Sequence, residues 1–189
     1  MPVGILRLIV PETERPSDFV SQQVYLTGFD GIPSPCRARC SGDELVVERE
    51  GADSVKLHIP WQVEGYGRPL VATGTLQQRD RAYFLPLELA RGKLNQVRNQ
   101  LADWQQLGLD TPEAVTSKIG SALRCFIAAA CGQGDLATCA VDAQAALRHG
   151  FEAAELLAAA YCEQALTVRH LSTGKLPVAF GVSLGGQSP

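Results

Sequence analysis

The segment 83–107, YFLPLELARGKLNQVRNQLADWQQL, divides the chain into two parts with different hydrophobic periodicity. Before it, apolar residues alternate in short runs broken by Gly and Pro, whereas after it they recur every three or four residues. Within it, a short apolar strand leads through Pro86 into a long helix, because proline fits the first helical turn. This order of elements predicts an α+β protein in which the strands precede the helices.

About six strands are predicted in the N-terminal part. They are Ile5–Val10, Gln23–Phe29, Glu44–Glu50, Ser54–Ile59, Leu70–Leu76 and Ala82–Leu85. Short strands without intervening helices favour an antiparallel β-sandwich or sheet. The turn-like Gly51-Ala52-Asp53 predicts a hairpin between the third and fourth of these strands. The proline-containing stretch 30–42 is interpreted as a loop.

Helical periodicity predicts a three-helix bundle or a helical hairpin in the second part. The apolar stripe of the first helix consists of Leu87, Ala90, Leu94, Val97, Leu101 and Trp104. Gly92 is unfavourable inside a helix, which indicates a close approach by another backbone, and Gly108 is the expected stop. Thr111 and Asp135 are the expected N-caps of the next two helices. The last helix spans roughly nine turns, so it needs partners along both halves.

Three regions follow from this pattern. Residues 1–85 form a β-rich module, and residues 86–172 form the helical region. Residues 173–189 are expected to be extended, with a strand at Leu176–Leu184. That strand would either lead toward a further domain or complete the N-terminal sheet.

Composition narrows the classes of function. The formal charge of -3 comes with both signs evenly mixed. Phosphate-backbone binding needs a basic surface, so we expect no nucleic-acid partner. No apolar stretch reaches the roughly 20 residues of a membrane span, and the N-terminus lacks the features of a signal peptide. A cytoplasmic protein without a membrane partner is therefore predicted.

The chain has six cysteines. Four lie in Ala/Leu-rich helical sequence and are interpreted as small buried apolar side chains. These four are Cys125, Cys131, Cys139 and Cys162. Cys36 and Cys40 flank Arg37-Ala38-Arg39, where the arginines could lower a thiol pKa or the pair could supply half of a metal site. Because two further ligands at comparable spacing are missing, we expect no metal, and no cofactor motif is present.

Two groups of side chains are candidates for ligand binding. Trp61, Tyr66 and Tyr83, with Arg68 and Arg81, could form an aromatic platform for a sugar ring, or the aromatics could belong to the core. The first helix has a polar face opposite its apolar stripe. That face could hydrogen-bond a sugar or a partner domain, attach the helix to the sheet, or be solvated. It consists of Glu88, Arg91, Asn95, Arg98 and Asn99.

No catalytic residue is assigned. The chain lacks a Gly-rich phosphate loop, HExxH and GxSxG, and its three histidines are scattered. Its carboxylates are distributed singly, whereas glycoside hydrolysis needs a pair. We therefore do not expect an enzyme contained in these residues alone. If there is one, its titratable groups would converge around Glu88 and Arg91.

The run GYGRPLVATGTLQQRDRAYFLPLELARGKLNQVRNQLADWQQLGL, residues 65–109, resembles the N-terminal region of xylanase-like proteins of glycoside hydrolase family 10 in planctomycete-type bacteria. In those proteins a β-rich module and helices precede a TIM-barrel hydrolase domain. The family's catalytic glutamates have no counterparts here, since a barrel takes about 250 residues. Pro177–Leu184 matches the lead into the barrel. The resemblance is carried by Thr75-Leu76, Arg79-Asp80, Tyr83, Leu85-Pro86, Leu89-Ala90-Arg91-Gly92 and Asn95 through Trp104.

The resemblance implies a non-catalytic accessory module of a carbohydrate-active protein. Its β-rich half would bind an oligosaccharide, and its helices would brace a hydrolase domain. An alternative is a module without sugar binding that forms a homo-oligomer through its alanine-rich helices. Ala154 and Ala158 lie on the surface that this alternative would use.

Overall fold

The computed structural model describes residues 3–11 and 23–173 of the chain. The strands are β1 (Val3–Ile9), β2 (Tyr25–Thr27), β3 (Pro33–Ser34), β4 (Cys36–Ser41), β5 (Glu44–Glu50), β6 (Lys56–Pro60), β7 (Leu70–Ala72) and β8 (Tyr83–Phe84). The helices are α1 (Leu85–Gln106), α2 (Glu113–Cys131) and α3 (Leu136–Thr173). Strands followed by helices confirm the predicted α+β class. The predicted strand Leu176–Leu184 lies outside the described residues.

The strands form two four-stranded sheets. The first has the order β4-β5-β1-β8 and the second has the order β3-β2-β6-β7. All pairings are antiparallel except that of β8, which lies parallel to β1. Leu8 and Val47 from the first sheet share one hydrophobic core with Leu26 and Leu57 from the second. The two sheets therefore face each other as a sandwich, with the helices beside it.

The predicted hairpin between residues 44–50 and 54–59 is wrong. β5 pairs with β4 and β1 in the first sheet, whereas β6 pairs with β2 and β7 in the second. The hairpin partner of β5 is β4, which it meets across Gly42 at a φ of 64°. The predicted loop 30–42 thus contains β3 and β4. Alternation of apolar residues indicates which face of a strand is buried, but it does not specify the neighbouring strand.

Helix α1 joins the sandwich to the helical bundle. Pro86 lies in its first turn and Gly108, at a φ of 93°, follows its end, as predicted. Leu89 and Ala90 pack in the core of the sandwich, whereas Val97 packs with α2 and α3. One helix therefore contributes to two cores.

The three helices form a bundle, as one of the two predicted alternatives proposed. Val115 of α2 and Leu157 of α3 share a core with α1. Asp135 caps α3 as predicted, because its Oδ1 accepts a hydrogen bond of 3.0 Å from the Ala137 amide. Thr111 is not the N-cap of α2. Pro112 occupies that position, and the Thr111 hydroxyl instead accepts a hydrogen bond of 3.0 Å from Gln105.

Among the described helices, α2 is long and apolar enough by length and composition to cross a membrane. Core helices of soluble proteins meet the same criterion, so a single helix of this kind is a weak indication. Its Val115, Ala122 and Ala129 are buried against its neighbours.

The cysteines only partly match their predicted environments. Cys139 is buried and Cys125 is half-buried, but Cys131 and Cys162 are exposed, so the prediction is wrong for those two. Burial raises the pKa of the Cys36 thiol, so the suggested lowering of a thiol pKa is wrong there. The reason is the strand periodicity of β4. Arg37 and Arg39 are exposed on one face of the strand, whereas Cys36, Ala38 and Cys40 are partly buried on the other.

Candidate functional site

A groove of about 870 Å³ runs between the second sheet and helix α1. Its sheet wall carries Thr27, Lys56 and His58. Its helix wall carries a row of amide side chains, and the backbone of residues 70–75 connects the two walls. The groove thus lies where the β-rich part of the chain meets its helical part.

The amide row follows from the helical spacing of α1. Its members are Asn95, Gln96, Asn99 and Gln100. Residues at i, i+1, i+4 and i+5 lie on one side of a helix, while the neighbouring Leu94 and Val97 are buried on the other. Each carboxamide offers both donors and an acceptor. This wall can therefore both donate hydrogen bonds to hydroxyl groups and accept hydrogen bonds from them.

His58 is held firmly in the sheet wall. Its Nε2 lies 2.9 Å from the hydroxyl oxygen of Thr27, and its ring stacks on Tyr25 with centroids 4.5 Å apart. Burial, and then the charge of Lys56, lower the pKa of His58 below its ordinary value of 6.5. The imidazole is consequently neutral at pH 7, where it serves as a hydrogen-bonding group rather than a cation.

Lys93 stands on the helix side of the groove and is already engaged. Its Nζ lies 4.0 Å above the centre of the Phe151 ring and donates a hydrogen bond of 3.2 Å to Gln96. Burial lowers the pKa of Lys93, and the nearby Glu155 opposes that effect. These contacts hold the ammonium group between α1 and α3.

The rim of the groove is apolar. Phe29 is fully exposed, at 108% relative accessibility, and Leu70 on β7 is half-exposed. An aromatic ring with free faces can stack on a ligand ring. Phe29 was predicted only as the end of a strand, so its position at a binding surface is a new observation.

The predicted aromatic platform is not assembled. Trp61 and Tyr83 are core residues, with 3% and 7% relative accessibility. The Tyr83 hydroxyl donates a hydrogen bond of 2.9 Å to the Gln77 carbonyl, and the Arg79 guanidinium lies 3.4 Å from the centre of its ring. Both aromatics thus follow the alternative interpretation, in which they belong to the core.

Tyr66 and Arg68, the other two predicted binding residues of the sandwich, do not form an aromatic platform with Trp61 and Tyr83 either. The Tyr66 hydroxyl donates a hydrogen bond of 2.9 Å to Glu155, and its ring packs 5.1 Å from Phe151. Burial first, and then this hydrogen bond, raise the pKa of Tyr66 to about 12. Arg68 is exposed in the adjoining loop. Tyr66 therefore packs against α3. It does not itself line the groove, but it contacts Phe151, which does.

The polar face of α1 serves two purposes along its length. Glu88, at 8% accessibility, forms an ion pair with Arg91, which donates a hydrogen bond of 3.2 Å to the Thr75 carbonyl. Burial raises the pKa of Glu88, although Arg91 acts in the opposite direction. This first turn attaches the helix to the sheet and lies outside the groove. Asn95 and Asn99, one and two turns further on, line it.

The sequence analysis selected a residue of the helix wall of this groove but none of its sheet wall. Asn95 was selected and lines the groove, whereas Lys56, His58 and Thr27 were not. The period-two spacing of Lys56 and His58 indicates a shared face of β6. That α1 packs beside this face was not evident, because His58 and Asn95 lie more than thirty positions apart in the chain.

The described lining of the groove contains four ionisable side chains, those of Lys56, His58, Lys93 and Asp103. Asp103 is the one carboxylate among its described lining residues, and hydrolysis of a glycosidic bond uses two. No protein-family model, curated protein or solved structure matches this chain.

Proposed function

We propose that this chain is a non-catalytic accessory module that binds an oligosaccharide in the groove between the second sheet and α1. The observation that carries the proposal is the amide row of α1, which faces His58 and Thr27 across a groove of about 870 Å³. That volume is within the range of ordinary ligand sites, which is roughly 300–1,000 Å³.

The chemistry of the walls favours a neutral polyhydroxylated chain. A sugar hydroxyl both donates and accepts, and so does each carboxamide, so neighbouring hydroxyls can bind a single Asn or Gln through two hydrogen bonds. The exposed Phe29 adds a face on which a sugar ring can stack. From Gly92 to Asp103 the helix wall is about 17 Å long, at 1.5 Å per residue. An extended ligand would therefore contact several turns of α1.

The bracing of a hydrolase domain is the second half of the proposal, and the resemblance of residues 65–109 supports it. Its test is the reading frame downstream of Pro189. A following stretch that encodes a barrel would support the bracing role, and an immediate stop codon would remove it.

Isothermal titration with xylan-derived and other neutral oligosaccharides tests the binding half. We expect the wild type to bind at least one of them and Asn95→Ala/Asn99→Ala to lose about thirtyfold in affinity, as two hydrogen bonds of about 1 kcal/mol would predict. Arg98→Ala, an exposed residue of the same helix, is the matched control and should bind normally. Tryptophan fluorescence is a poor readout, because Trp61 is buried and Trp104 lies outside the groove lining. Flat titrations with every oligosaccharide would remove the sugar-binding claim.

Self-association is the alternative function, and one observation favours it. The C-terminal part of α3 exposes the apolar side chains of Leu166, Val168 and Leu171. A second copy packed along this end would cover them. Light scattering should then give a dimer mass that falls for Leu166→Glu and for Ala158→Glu, which also replaces an exposed residue of α3. A monomeric wild type at high concentration would exclude this alternative.

A further inference from the structure

We propose that the oligosaccharide bound in this groove carries a carboxylate, as in a uronic-acid residue, and that Lys56 is the group that binds it. The inference rests on the proposed function, since it names the charge of the ligand for the same groove.

The balance of charge in the groove differs from that of the whole chain. The chain has a formal charge of -3. Among the residues that the structure describes, the groove lining in contrast contains the two cations Lys56 and Lys93 and the single carboxylate of Asp103. A local excess of positive charge in a negatively charged protein favours an anionic ligand at that surface.

Lys56 is the cation available to a ligand. Lys93 is engaged by the Phe151 ring and Gln96, and Glu155 already faces it. His58 is committed to Thr27 and Tyr25. Lys56 is exposed, and within residues 3–11 and 23–173 it forms no ion pair. Its ammonium group therefore has its three donors free for a ligand oxygen.

The position of Lys56 complements the amide row. It lies on β6 two residues from His58, on the sheet side, whereas the carboxamides stand on α1. A sugar chain with its hydroxyls toward Asn95 and Asn99 would turn its opposite edge toward the sheet wall. A carboxylate on that edge would accept a charge-assisted hydrogen bond from Lys56, which is stronger than one between neutral groups.

Lys56 suits a single negative charge. It is a compact point charge on a flexible stem, and the lining residues within 3–11 and 23–173 include no arginine that would bind an anion through two parallel bonds. Because Lys56 is exposed, binding requires little desolvation and is screened by salt. A monoanionic sugar therefore fits better than a polyphosphate.

The test is a calorimetric comparison of a neutral xylo-oligosaccharide with one of the same length that carries one glucuronic-acid branch. We expect the acidic ligand to bind the wild type about fivefold more tightly at low salt, the size expected for one exposed charge pair. Lys56→Gln should reduce the affinity for the acidic ligand to that for the neutral one and leave the neutral ligand unaffected. The matched control Arg98→Gln removes an exposed cation outside the groove and should change neither affinity.

The outcomes separate the two proposals. Two results would overturn the proposed binding of a carboxylate by Lys56 but leave sugar binding standing. They are equal affinity of the wild type for the two ligands, and an equal loss of affinity for both ligands in Lys56→Gln. Absence of binding by either ligand overturns both. A preference for the acidic ligand that disappears at 0.3 M salt and in Lys56→Gln supports the role of Lys56, since the Debye length falls to about 6 Å at that ionic strength.

Discussion

Gly92 of α1 lies directly against the carbonyl oxygen of Ala72 at the end of β7, so that no side chain fits between helix and strand. A Cβ atom on Gly92 would overlap that oxygen and lie 2.5 Å from the Thr73 carbonyl carbon and 2.8 Å from the Gly74 nitrogen. This contact brings the helix wall of the groove to the sheet wall. It confirms the close backbone approach that a glycine inside a helix predicts.

The first prediction is that Gly92→Ala destabilises the protein although alanine is the better helix former. The gain in helix propensity is about 1 kcal/mol, and the overlap with backbone atoms is expected to outweigh it, for a net loss of about 2 kcal/mol. Gly120→Ala is the matched control, because its Cβ would meet only the Arg124 side chain at 3.6 Å. That variant should gain up to about 1 kcal/mol. Urea unfolding measures both, and a Gly92→Ala variant as stable as the wild type would contradict the close contact.

The second prediction concerns the ion pair between the buried Glu88 and the partly exposed Arg91. The pKa of Glu88 is raised in the folded state, so its ionised form lowers stability at neutral pH, and this cost is relieved as the pH falls through the folded pKa. Arg91→Ala removes the charge that restrains this pKa. We expect a loss of about 1–2 kcal/mol at pH 7, because Arg91 is partly exposed to solvent, and we expect part of it to be recovered on acidification toward pH 5.

A double variant provides the control for that pair. Glu88→Gln/Arg91→Ala has no charge at either position, so it should be more stable at pH 7 than Arg91→Ala alone and should lack the recovery at lower pH. Both variants lose the Arg91 bond to Thr75 equally. Chemical denaturation between pH 5 and pH 8 measures the difference, and parallel pH profiles for the two would contradict the assignment to Glu88.

The third prediction concerns Glu152, which joins α2 to α3. Its carboxylate lies 2.6 Å from Lys118, 3.0 Å from His149 and 3.2 Å from Arg148. The hydrogen bonds from Lys118 and His149 lower the pKa of Glu152 from 4.5 to about 2. Its contribution to stability is therefore complete above pH 4.5 and disappears as the pH falls to about 2.

Glu152→Gln should accordingly lose about 1 kcal/mol at pH 7, a modest value because the three pairs are partly exposed. The difference from the wild type should shrink as the pH falls below 4.5, which thermal unfolding at pH 7 and pH 2.5 measures. A difference that is the same at both pH values would show that packing, not charge, accounts for the loss.

The fourth prediction is that the hydroxyl of Tyr83 contributes more to the free energy of unfolding than the hydroxyl of Tyr66. Tyr83 donates to the Gln77 carbonyl at 2.9 Å and accepts from its amide at 3.2 Å, and the ring is buried. Tyr83→Phe should cost about 1–2 kcal/mol, because it leaves both backbone groups of Gln77 without these bonds. Tyr66→Phe removes one exposed bond to Glu155 and should cost less than about 0.5 kcal/mol. Equal losses in urea unfolding would contradict this ranking.

Local sequence signals predicted the helical part of the fold most accurately. Pro86, Gly108 and Asp135 mark helix ends through their own backbone or side-chain chemistry, and all three do so in the structure. The strand pairings were predicted less well. Gly51-Ala52-Asp53 has turn-like composition, yet the chain crosses there from the first sheet to the second. Turn composition indicates a change of direction but not the strand that follows it in space.

For the candidate site, periodicity placed Asn95 on a polar helix face but could not separate it from Glu88 and Arg91 on the same face. The separation depends on what packs beside each turn of α1. The backbone of residues 73–75 covers the first turn, and the open groove lies beside the later turns. Trp61 and Tyr83 were predicted as candidate ligand-binding residues, but both are buried in the core. The sequence could not distinguish these environments, because aromatic residues occur both in cores and at binding surfaces.

The sequence by itself determined the α+β order of elements, both ends of α1, the start of α3 and the existence of a polar face on α1, since each depends on residues close together in the chain. Only the tertiary structure decided that β6 and α1 form the two walls of one groove. That arrangement depends on Gly92 packing against Ala72 and on a sandwich core shared by both sheets, contacts between residues far apart in sequence. Such contacts follow from shape and burial in three dimensions, which hydrophobic periodicity along the chain does not encode.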